Sequence, residues 1–388
     1  MMTMVRGSVA GVLLAGVVAS LAYGVIALLR VILFRRRETP RSDFAPAVTI
    51  LKPVCGIEPG LFDCLRSFCE QDYPDYQVVF GVGDARDEAV PVIERLLRES
   101  KHPDLTLVVD GRRYGGNYKM SNLTNMMASA RHDILVVADA DSLVQRDYLR
   151  AVVAEFESPR VGAVTCLYVG KPLGGLASAL GAAFMNDWFL PSVLFDLALE
   201  KPSFCFGATM AIRRDALESI GGFIGLTPYL ADDYLLGRRV RDLGLEVRLA
   251  SPVVRTVVSE PDFRTLWQHE LRWGRTFRTV RPIGWILTLT TDTMVLALAY
   301  LLASGASALS VALLGASILV RLGTHAAVRR RFGLDGPSGF WLVPLRDLLS
   351  FGVRVASFVG YGVVWKGEAF VIRSAGRLQE KEGIQRSS

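Results

Sequence analysis

The stretch DILVVADAD, residues 133–141, decides the fold that we expect for this chain. Its five consecutive apolar residues predict a strand buried on both faces, which is typical of a parallel sheet covered by helices. Asp139 and Asp141 follow at the carboxyl end, where open α/β sheets bind their ligands. Side chains two positions apart on an extended chain point the same way, so both could share Mg²⁺ or Mn²⁺. An Asp-rich turn without a ligand is the alternative for such a pattern alone.

Strand and helix patterns alternate before that stretch. We expect strands at 48–53, 77–82 and 105–109 and helices at 61–70, 89–99 and 120–130. Such alternation predicts a doubly wound, Rossmann-like α/β domain with a mostly parallel sheet. Asp84 follows the 77–82 strand, so it is expected at the same sheet edge as Asp139. A later apolar run, 204–212, predicts a further strand.

Composition limits the class of protein. The chain has 388 residues, of which 51% are hydrophobic and 21% charged, with a net charge of +6. This balance indicates a soluble domain joined to membrane segments. Arginine clusters beside apolar runs favour a lipid surface and not a nucleic acid as the partner. The five cysteines form no CxxC pair, which argues against a disulfide framework or structural zinc and indicates a reducing compartment.

The amino-terminal apolar run, residues 9–34, is long enough to span a bilayer. Three arginines follow it at 35–37, so the positive-inside rule places the amino terminus outside and the following domain in the cytoplasm. A cleaved signal peptide is the alternative, but no small-residue cleavage site precedes these arginines.

Apolar segments return near the carboxyl end. Residues 283–302 and 306–322 predict two membrane helices joined by a tight turn at Gly305. A charged Asp292 within the first of these helices would cost free energy in the bilayer unless its side chain faces protein or water. Residues 340–364 are apolar but contain charged residues, which favours a re-entrant or interfacial segment. The expected organisation is a transmembrane anchor at 1–38, a catalytic domain at 39–262, an interfacial helix at 263–282, membrane helices at 283–365 and a basic cytoplasmic tail at 366–388.

Four other segments carry candidate chemistry. The Gly-rich stretch 111–119 ends in Lys119 before a helix and could bind a phosphate, although the stretch taken alone favours a plain loop. In the LADDY stretch, 230–234, Asp233 is either a general base or a helix cap. Residues 174–199 either form an interfacial segment that lines the site of an apolar acceptor or form a helix of the domain core. The basic, aromatic helix expected at 263–281 suggests a membrane-surface element and contains the HELRW stretch, 269–273.

The ordered set of motifs resembles the ceramide glucosyltransferase family and its bacterial relatives, including hopanoid-pathway glycosyltransferases. The set comprises Asp84, the Asp139 pair, Asp233 and HELRW, between an amino-terminal anchor and a membrane hairpin. Shorter matches are LKP at 51–53, QDYP at 71–74, GNYK at 116–119 and WKG at 365–367.

This resemblance implies a GT-A catalytic domain, an inverting mechanism and a UDP-sugar donor. It implies that Lys52 and Asp84 lie at the uridine, and that Asp139 and Asp141 hold a divalent cation, Mg²⁺ or Mn²⁺, against the diphosphate. Lys119 is a further candidate donor contact.

The remaining implied roles concern transfer itself. Asp233 would accept the proton of the lipid hydroxyl. His269, Arg272 and Trp273 match the family's (Q/R)xxRW box beside the leaving diphosphate, with His269 departing from its first position. Arg272 could neutralise charge that develops on the diphosphate.

The resemblance therefore implies a membrane-bound enzyme that moves a hexose or N-acetylhexosamine from UDP-glucose or UDP-N-acetylglucosamine to a lipid hydroxyl. The acceptor would be a hopanoid polyol such as bacteriohopanetetrol, or ceramide, at a bacterial inner membrane. A polyprenyl-phosphate sugar transferase, a processive polysaccharide synthase and a non-catalytic membrane scaffold are the alternatives.

Overall fold

The chain forms two compact units in a computed structural model that describes residues 2–36, 43–335 and 339–380. The helical unit comprises the described residues within 1–35, 174–199 and 260–367. The sheet unit comprises those within 36–173, 200–259 and 368–388. The predicted boundary at residue 38 and the end of the predicted tail, 381–388, lie outside the described residues.

The α-helices of the described residues are numbered in chain order. They are α1 Met2–Leu33, α2 Leu61–Cys69, α3 Ala89–Glu99, α4 Tyr118–Met126, α5 Tyr148–Ala154, α6 Leu176–Phe184, α7 Leu190–Leu199, α8 Arg214–Ser219, α9 Asp232–Asp242, α10 Phe263–Val280, α11 Pro282–Leu287, α12 Thr293–Ser304, α13 Ala308–Phe332 and α14 Leu342–Ser357.

The strands are numbered in the same way. They are β1 Val48–Pro53, β2 Tyr76–Val82, β3 Leu105–Val109, β4 Ile134–Val137, β5 Ser142–Leu143, β6 Val161–Pro172, β7 Met210–Arg213, β8 Glu246–Val258, β9 Gly362–Trp365, β10 Glu368–Ile372 and β11 Leu378–Glu380. The main sheet has the order β3-β2-β1-β4-β7-β6-β8-β5.

The first half of this sheet is doubly wound, as predicted. β1 pairs in parallel with β2 on one side and β4 on the other, and β2 pairs in parallel with β3. Strand order therefore reverses between β1 and β4, which creates the crevice where α/β sheets bind ligands. Both faces of β1 are buried, since Ile50 packs into the layer with α2 and α3 while Leu51 packs into the layer with α4.

The strand predicted at 204–212 is wrong over most of its length. Only Met210–Arg213 forms β7, antiparallel to β4 and β6. The residues before it form a tight loop, because the Thr165 hydroxyl on β6 accepts from the Phe206 N–H at 2.8 Å and donates to the Thr209 carbonyl at 2.8 Å. These bonds replace ladder pairing and turn the chain at Gly207, which is placed beside the carboxyl end of β4.

Among the described residues, two helices of the helical unit are long and apolar enough to cross a membrane, Ser8–Leu33 and Ala308–Phe332. The span predicted at 283–302 is not one straight helix. The stretch Pro282–Thr291, which consists of α11 and a 3-10 turn at Thr288–Thr291, is bent by 66° relative to α12 at Asp292, so the pair is either one broken span or a re-entrant loop. Threonine hydroxyls bond to preceding carbonyls there, and the Asp292 carboxylate accepts from Arg354 of α14 at 2.9 Å.

Helix α14 joins the helical unit through buried ion pairs. Arg346 and Glu270 meet at 2.6 and 2.7 Å, linking α14 to α10, while Asp347 meets Arg321 of α13 at 2.6 Å. The segment 174–199 consists of α6, a π-helical turn Met185–Phe189 and α7. Within that turn, the Asp187 carboxylate is buried and bonded to His325 Nδ1 at 2.8 Å. Part of this segment therefore belongs to the core of the helical unit.

Candidate active site

The carboxyl ends of β1 and β4 meet at Lys52. This side chain is fully buried, lies 3.7 Å from the centroid of the Phe68 ring and donates to the backbone carbonyl of Asp139. Burial lowers the pKa of Lys52 to about 8, and the neighbouring acidic groups act in the opposite direction. Lys52 thus stabilises the chain just beyond β4 through its hydrogen bond to the backbone of Asp139.

Lys119 forms ion pairs with two acidic side chains near the carboxyl end of β4. Its Nζ lies 2.7 Å from Asp139 Oδ1 and 3.5 Å from Asp232 Oδ2. Burial alone would lower the pKa of Lys119, but Asp139 and Asp232 raise it above its usual value, so the ammonium stays charged. Asn117 fixes the start of α4, because its side chain accepts from the Met120 N–H at 3.0 Å.

Gly207 leaves a gap between two carboxylates. A Cβ at this position would lie 3.3 Å from Asp139 Oδ2 and 3.5 Å from Asp233 Oδ2, with Lys119 Nζ at 4.0 Å. Asp139 and Asp233, which lie far apart in the sequence, therefore face the same point beside the Gly207 backbone. Asp233 is held there by the Tyr234 N–H, which donates to its Oδ1 at 2.7 Å.

The electrostatics of this cluster fit a cation. Burial, with Asp139 nearby, raises the pKa of Asp141 to about 7, and burial, with Asp232 nearby, raises that of Asp233 to about 7. Among the described residues, Asp141 Oδ1 is buried without a hydrogen-bond partner. Burying a carboxylate oxygen without a partner raises the free energy of the folded state. Hard divalent cations prefer oxygen ligands and could supply the missing partner. Asp139 and Asp141 are therefore the candidate donors for the predicted cation, although no group of three or more His, Cys, Asp or Glu side chains arranged to hold a metal ion occurs among the described residues.

Asp84 follows β2 at the same sheet edge, as predicted. It is more than half exposed, and its carboxylate accepts from the Arg86 side chain at 2.9 Å, which lowers its pKa. Since β1 separates β2 from β4, the two strand ends that carry Asp84 and Asp139 are about 10 Å apart. Asp84 therefore borders the crevice instead of joining the cluster around Lys119.

The HELRW stretch lies on α10 in the helical unit. His269 Nδ1 is 2.6 Å from Glu260 Oε1, and burial lowers the pKa of His269. Its ring packs on Trp273 with centroids 4.2 Å apart. The Arg272 guanidinium lies 5.9 Å from the centroid of the Trp365 ring. Both residues of the predicted Arg-Trp pair thus pack against aromatic or imidazole rings of the helical unit.

Of the predicted site residues, Lys52, Lys119, Asp139, Asp141 and Asp233 gather at one end of the sheet. Three further residues of this cluster were not proposed from the sequence as site residues: Asn117, Gly207 and Asp232. Asn117 Nδ2 bonds Asp232 Oδ1 at 3.2 Å across 115 positions of sequence, and no local pattern signals such a contact. For Asp232, its place beside Asp233 in LADDY was the available signal.

The sheet unit has the GT-A glycosyltransferase fold, and the prediction of this fold with apolar helices near both ends is confirmed. One similar structure is the mannosyltransferase PcManGT from Pyrobaculum calidifontis, in complex with GDP-Man and Mn²⁺. It matches with a TM-score of 0.54 at 22% identity and covers 91% of this chain and 99% of its own.

The chain belongs to glycosyl transferase family 21, whose model matches residues 12–378. It is 25% identical to ceramide glucosyltransferase 3 of Caenorhabditis elegans over 224 residues, which is 56% of this chain and 48% of that protein. It is 28% identical to the β-monoglucosyldiacylglycerol synthase of Synechocystis over 265 residues, which is 62% of this chain and 52% of that protein. The chain thus spans about half the length of these relatives, and its resemblance to the ceramide glucosyltransferase family is confirmed.

Proposed function

We propose that this protein is a membrane-bound, inverting glycosyltransferase that moves a hexosyl group from a UDP-sugar to the hydroxyl of a lipid. The observation that supports it best is the convergence of Asp139 and Asp233 beside Gly207, where Lys119 Nζ pairs with Asp139 at 2.7 Å. Family membership and the names of the similar proteins, which glucosylate ceramide or diacylglycerol, support a lipid acceptor and glucose as the sugar.

The reaction needs one displacement. The lipid oxygen attacks the anomeric carbon, the bond from that carbon to the diphosphate breaks, UDP departs, and Asp233 takes the hydroxyl proton. The pKa of about 7 for Asp233 suits a base at neutral pH, and such help contributes about 10² to 10⁴ fold. A single displacement inverts the anomeric centre, so no covalent nucleophile is required.

The donor side is assigned to the other acidic residues. Asp139 and Asp141 would hold a divalent cation, which when bound neutralises charge on the diphosphate. Lys119 keeps Asp139 and Asp232 in place, and Lys52 holds the Asp139 backbone. Asp84, at the edge of the crevice, is proposed to contact the uridine.

The roles of His269, Arg272 and Trp273 rest on the family motif. Arg272 would stabilise the departing diphosphate, because a guanidinium pairs well with phosphate oxygens. His269, held by Glu260, is proposed to contact the acceptor or the donor sugar.

The membrane orientation is also proposed. The ends of α1 and α13 are adjacent, since the Arg331 guanidinium donates to the Phe34 carbonyl and the Phe34 and Phe332 rings stack 5.2 Å apart. Arg35 and Arg36, which follow α1, and the arginines in the last turn of α13 therefore lie on the same side of the membrane. The positive-inside rule makes that side cytoplasmic. We further propose that the membrane is a bacterial inner membrane, which the similarity to the Synechocystis synthase supports.

A product assay tests this function. Membranes containing the protein are incubated with labelled UDP-glucose, UDP-N-acetylglucosamine or GDP-mannose, and with ceramide, diacylglycerol, a hopanoid polyol or polyprenyl phosphate. We expect a glucosyl lipid with an alkali-stable glycosidic bond, identified by mass spectrometry. A phosphodiester product would identify a polyprenyl-phosphate sugar transferase, a polymer would identify a polysaccharide synthase, and absence of transfer from every donor would contradict the proposal.

A further inference from the structure

The segment after β9 forms a hairpin within the sheet unit. β10 and β11 pair antiparallel, with Phe370 opposite Glu380 and Ile372 opposite Leu378. Residues 368–380 together make up this C-terminal hairpin. From the sequence this stretch was expected to be part of a basic tail, and nothing in the proposed chemistry uses it.

The C-terminal hairpin is bonded to the loop that precedes Asp232 and Asp233. The Leu378 N–H donates to the Pro228 carbonyl at 2.8 Å, and the Leu230 N–H donates to the Gly376 carbonyl at 3.1 Å. These two bonds enclose Tyr229, which forms an isolated antiparallel bridge with Arg377.

Side chains reinforce this backbone contact. The Arg377 Nε donates to the Tyr229 hydroxyl at 3.3 Å, and the guanidinium lies 5.5 Å from the centroid of the same ring. Tyr229 is therefore held by backbone bonds of its two neighbours to the hairpin and by the side chain of Arg377, three and four positions before the two acidic residues of LADDY.

The Gly-rich stretch before α4 provides the other contact surface. A Cβ on Gly116 would lie 2.9 Å from the Leu378 Cβ and 3.4 Å from the Phe370 ring, so this glycine permits close approach of the hairpin. A Cβ on Gly115 would lie 2.7 Å from the Thr227 carbonyl oxygen. Gly115 and Gly116 thus form a flat surface for packing against two segments.

Aromatic contacts continue beside these glycines. Phe370 is buried and meets the Tyr118 ring edge to face, with centroids 5.9 Å apart. The Arg113 guanidinium covers Tyr118 at 3.9 Å and lies 3.8 Å from Glu368 of the hairpin. Tyr118 is the residue directly before Lys119, so the hairpin also constrains the start of α4.

The two constrained segments are joined to each other by Asn117. Its N–H donates to the Thr227 carbonyl at 2.8 Å, and its side-chain amide donates to the Tyr229 carbonyl at 2.8 Å and to Asp232. The hairpin, the loop before Asp232 and the start of α4 therefore form one bonded assembly.

We propose that the C-terminal hairpin positions Asp233 and Lys119 for catalysis, with Arg377 as the positioning residue that acts through Tyr229. This inference rests on the proposed function of those two residues. Arg377 does not contact the reacting groups. It fixes the loop that leads into α9, whose first turn carries Asp233, and small displacements of a general base lower the turnover number much more than they weaken substrate binding.

Kinetics of Arg377→Ala test the proposal, with Arg373→Ala as the matched control. Arg373 lies on the same hairpin, carries the same charge, is exposed, and bonds through its side chain to Gln379. We expect kcat of Arg377→Ala to fall about tenfold or more while KM for the UDP-sugar stays close to wild type. Arg373→Ala should retain wild-type kcat. Equal kcat in both variants and in the wild type would overturn the proposal.

A double-mutant cycle and hydrogen exchange complete the test. If Arg377 acts through Tyr229, Tyr229→Ala combined with Arg377→Ala should lose no more kcat than either change alone, whereas additive losses would contradict this route. Amide exchange should accelerate in peptides covering 226–236 in Arg377→Ala but not in Arg373→Ala. The exchange result does not depend on turnover, so unchanged exchange overturns the hairpin's role even in a protein that transfers no sugar. A wild type without transfer activity, but with the expected exchange pattern, would instead refute the proposed function.

Discussion

Lys119 Nζ and Asp139 Oδ1 lie 2.7 Å apart, although Lys119 lies in the first turn of α4 and Asp139 lies just beyond the end of β4. This ion pair joins α4 to the carboxyl end of β4 and brings positive charge into a group of buried and half-buried carboxylates. A buried acidic cluster without such a cation would be strongly destabilised by repulsion.

Replacing Lys119 by Met should therefore affect both stability and activity. The change leaves Asp139 and Asp232 without their shared cation, and we expect a loss of about 1–3 kcal/mol in the free energy of unfolding. Lys119→Arg, which keeps the charge, is the control and should lose less. Urea unfolding in detergent micelles measures both, and equal stability of the wild type and the Met variant would contradict this role.

Gly207→Ala tests the space between the carboxylates. The added methyl group would lie 3.3 Å from Asp139 Oδ2, which crowds the position where a cation and the diphosphate are proposed to bind. We expect Mn²⁺-dependent UDP affinity, measured by calorimetry, to fall about tenfold, with chelator-treated wild type as the reference for metal-free binding. Gly175→Ala, where a Cβ meets nothing within 4 Å, should bind UDP as the wild type does. Unchanged affinity in Gly207→Ala would exclude this position as part of the donor site.

The buried pair of Glu270 and Arg346 predicts a different pattern. Both side chains are almost fully buried, so Glu270→Leu alone would leave the Arg346 charge uncompensated and cost about 3–5 kcal/mol of stability. Adding Arg346→Met should recover most of that loss, because the pair is then replaced by apolar groups. Thermal unfolding of the wild type, the single variant and the double variant in micelles checks this. A double variant as unstable as Glu270→Leu would show that the uncompensated Arg346 charge does not cause the loss of stability.

The sequence predicted the elements from β1 to β4 closely, because each strand is a short apolar run and each helix has apolar residues at helical spacing. Elements after β4 depended on distant partners. The 204–212 segment turns at Gly207 because Thr165 bonds to its backbone, and the apolar segment from 283 bends because Asp292 pairs with Arg354. Neither partner lies near these segments in sequence.

The candidate site shows the same division. Asp139, Asp141 and Asp233 were proposed from local patterns, since the first two follow a strand and Asp233 lies in the first turn of a helix, while the role of Asp233 as the base was added by the family resemblance. The contribution of Asn117 and the contact of the C-terminal hairpin with Tyr229 depend on residues more than 100 positions apart. Hydrogen bonds over such distances in sequence have no local signature.

The proposed mechanism is tested best by Asp233→Asn, which keeps the size of the side chain but removes its capacity to take a proton. Lipid glucosylation and UDP binding in the presence of Mn²⁺ are measured on the same preparation. We expect transfer of glucose to lipid to be abolished while UDP affinity stays close to that of the wild type. Wild-type transfer rates in Asp233→Asn would contradict the mechanism, since Asp233 would then have no role as the base.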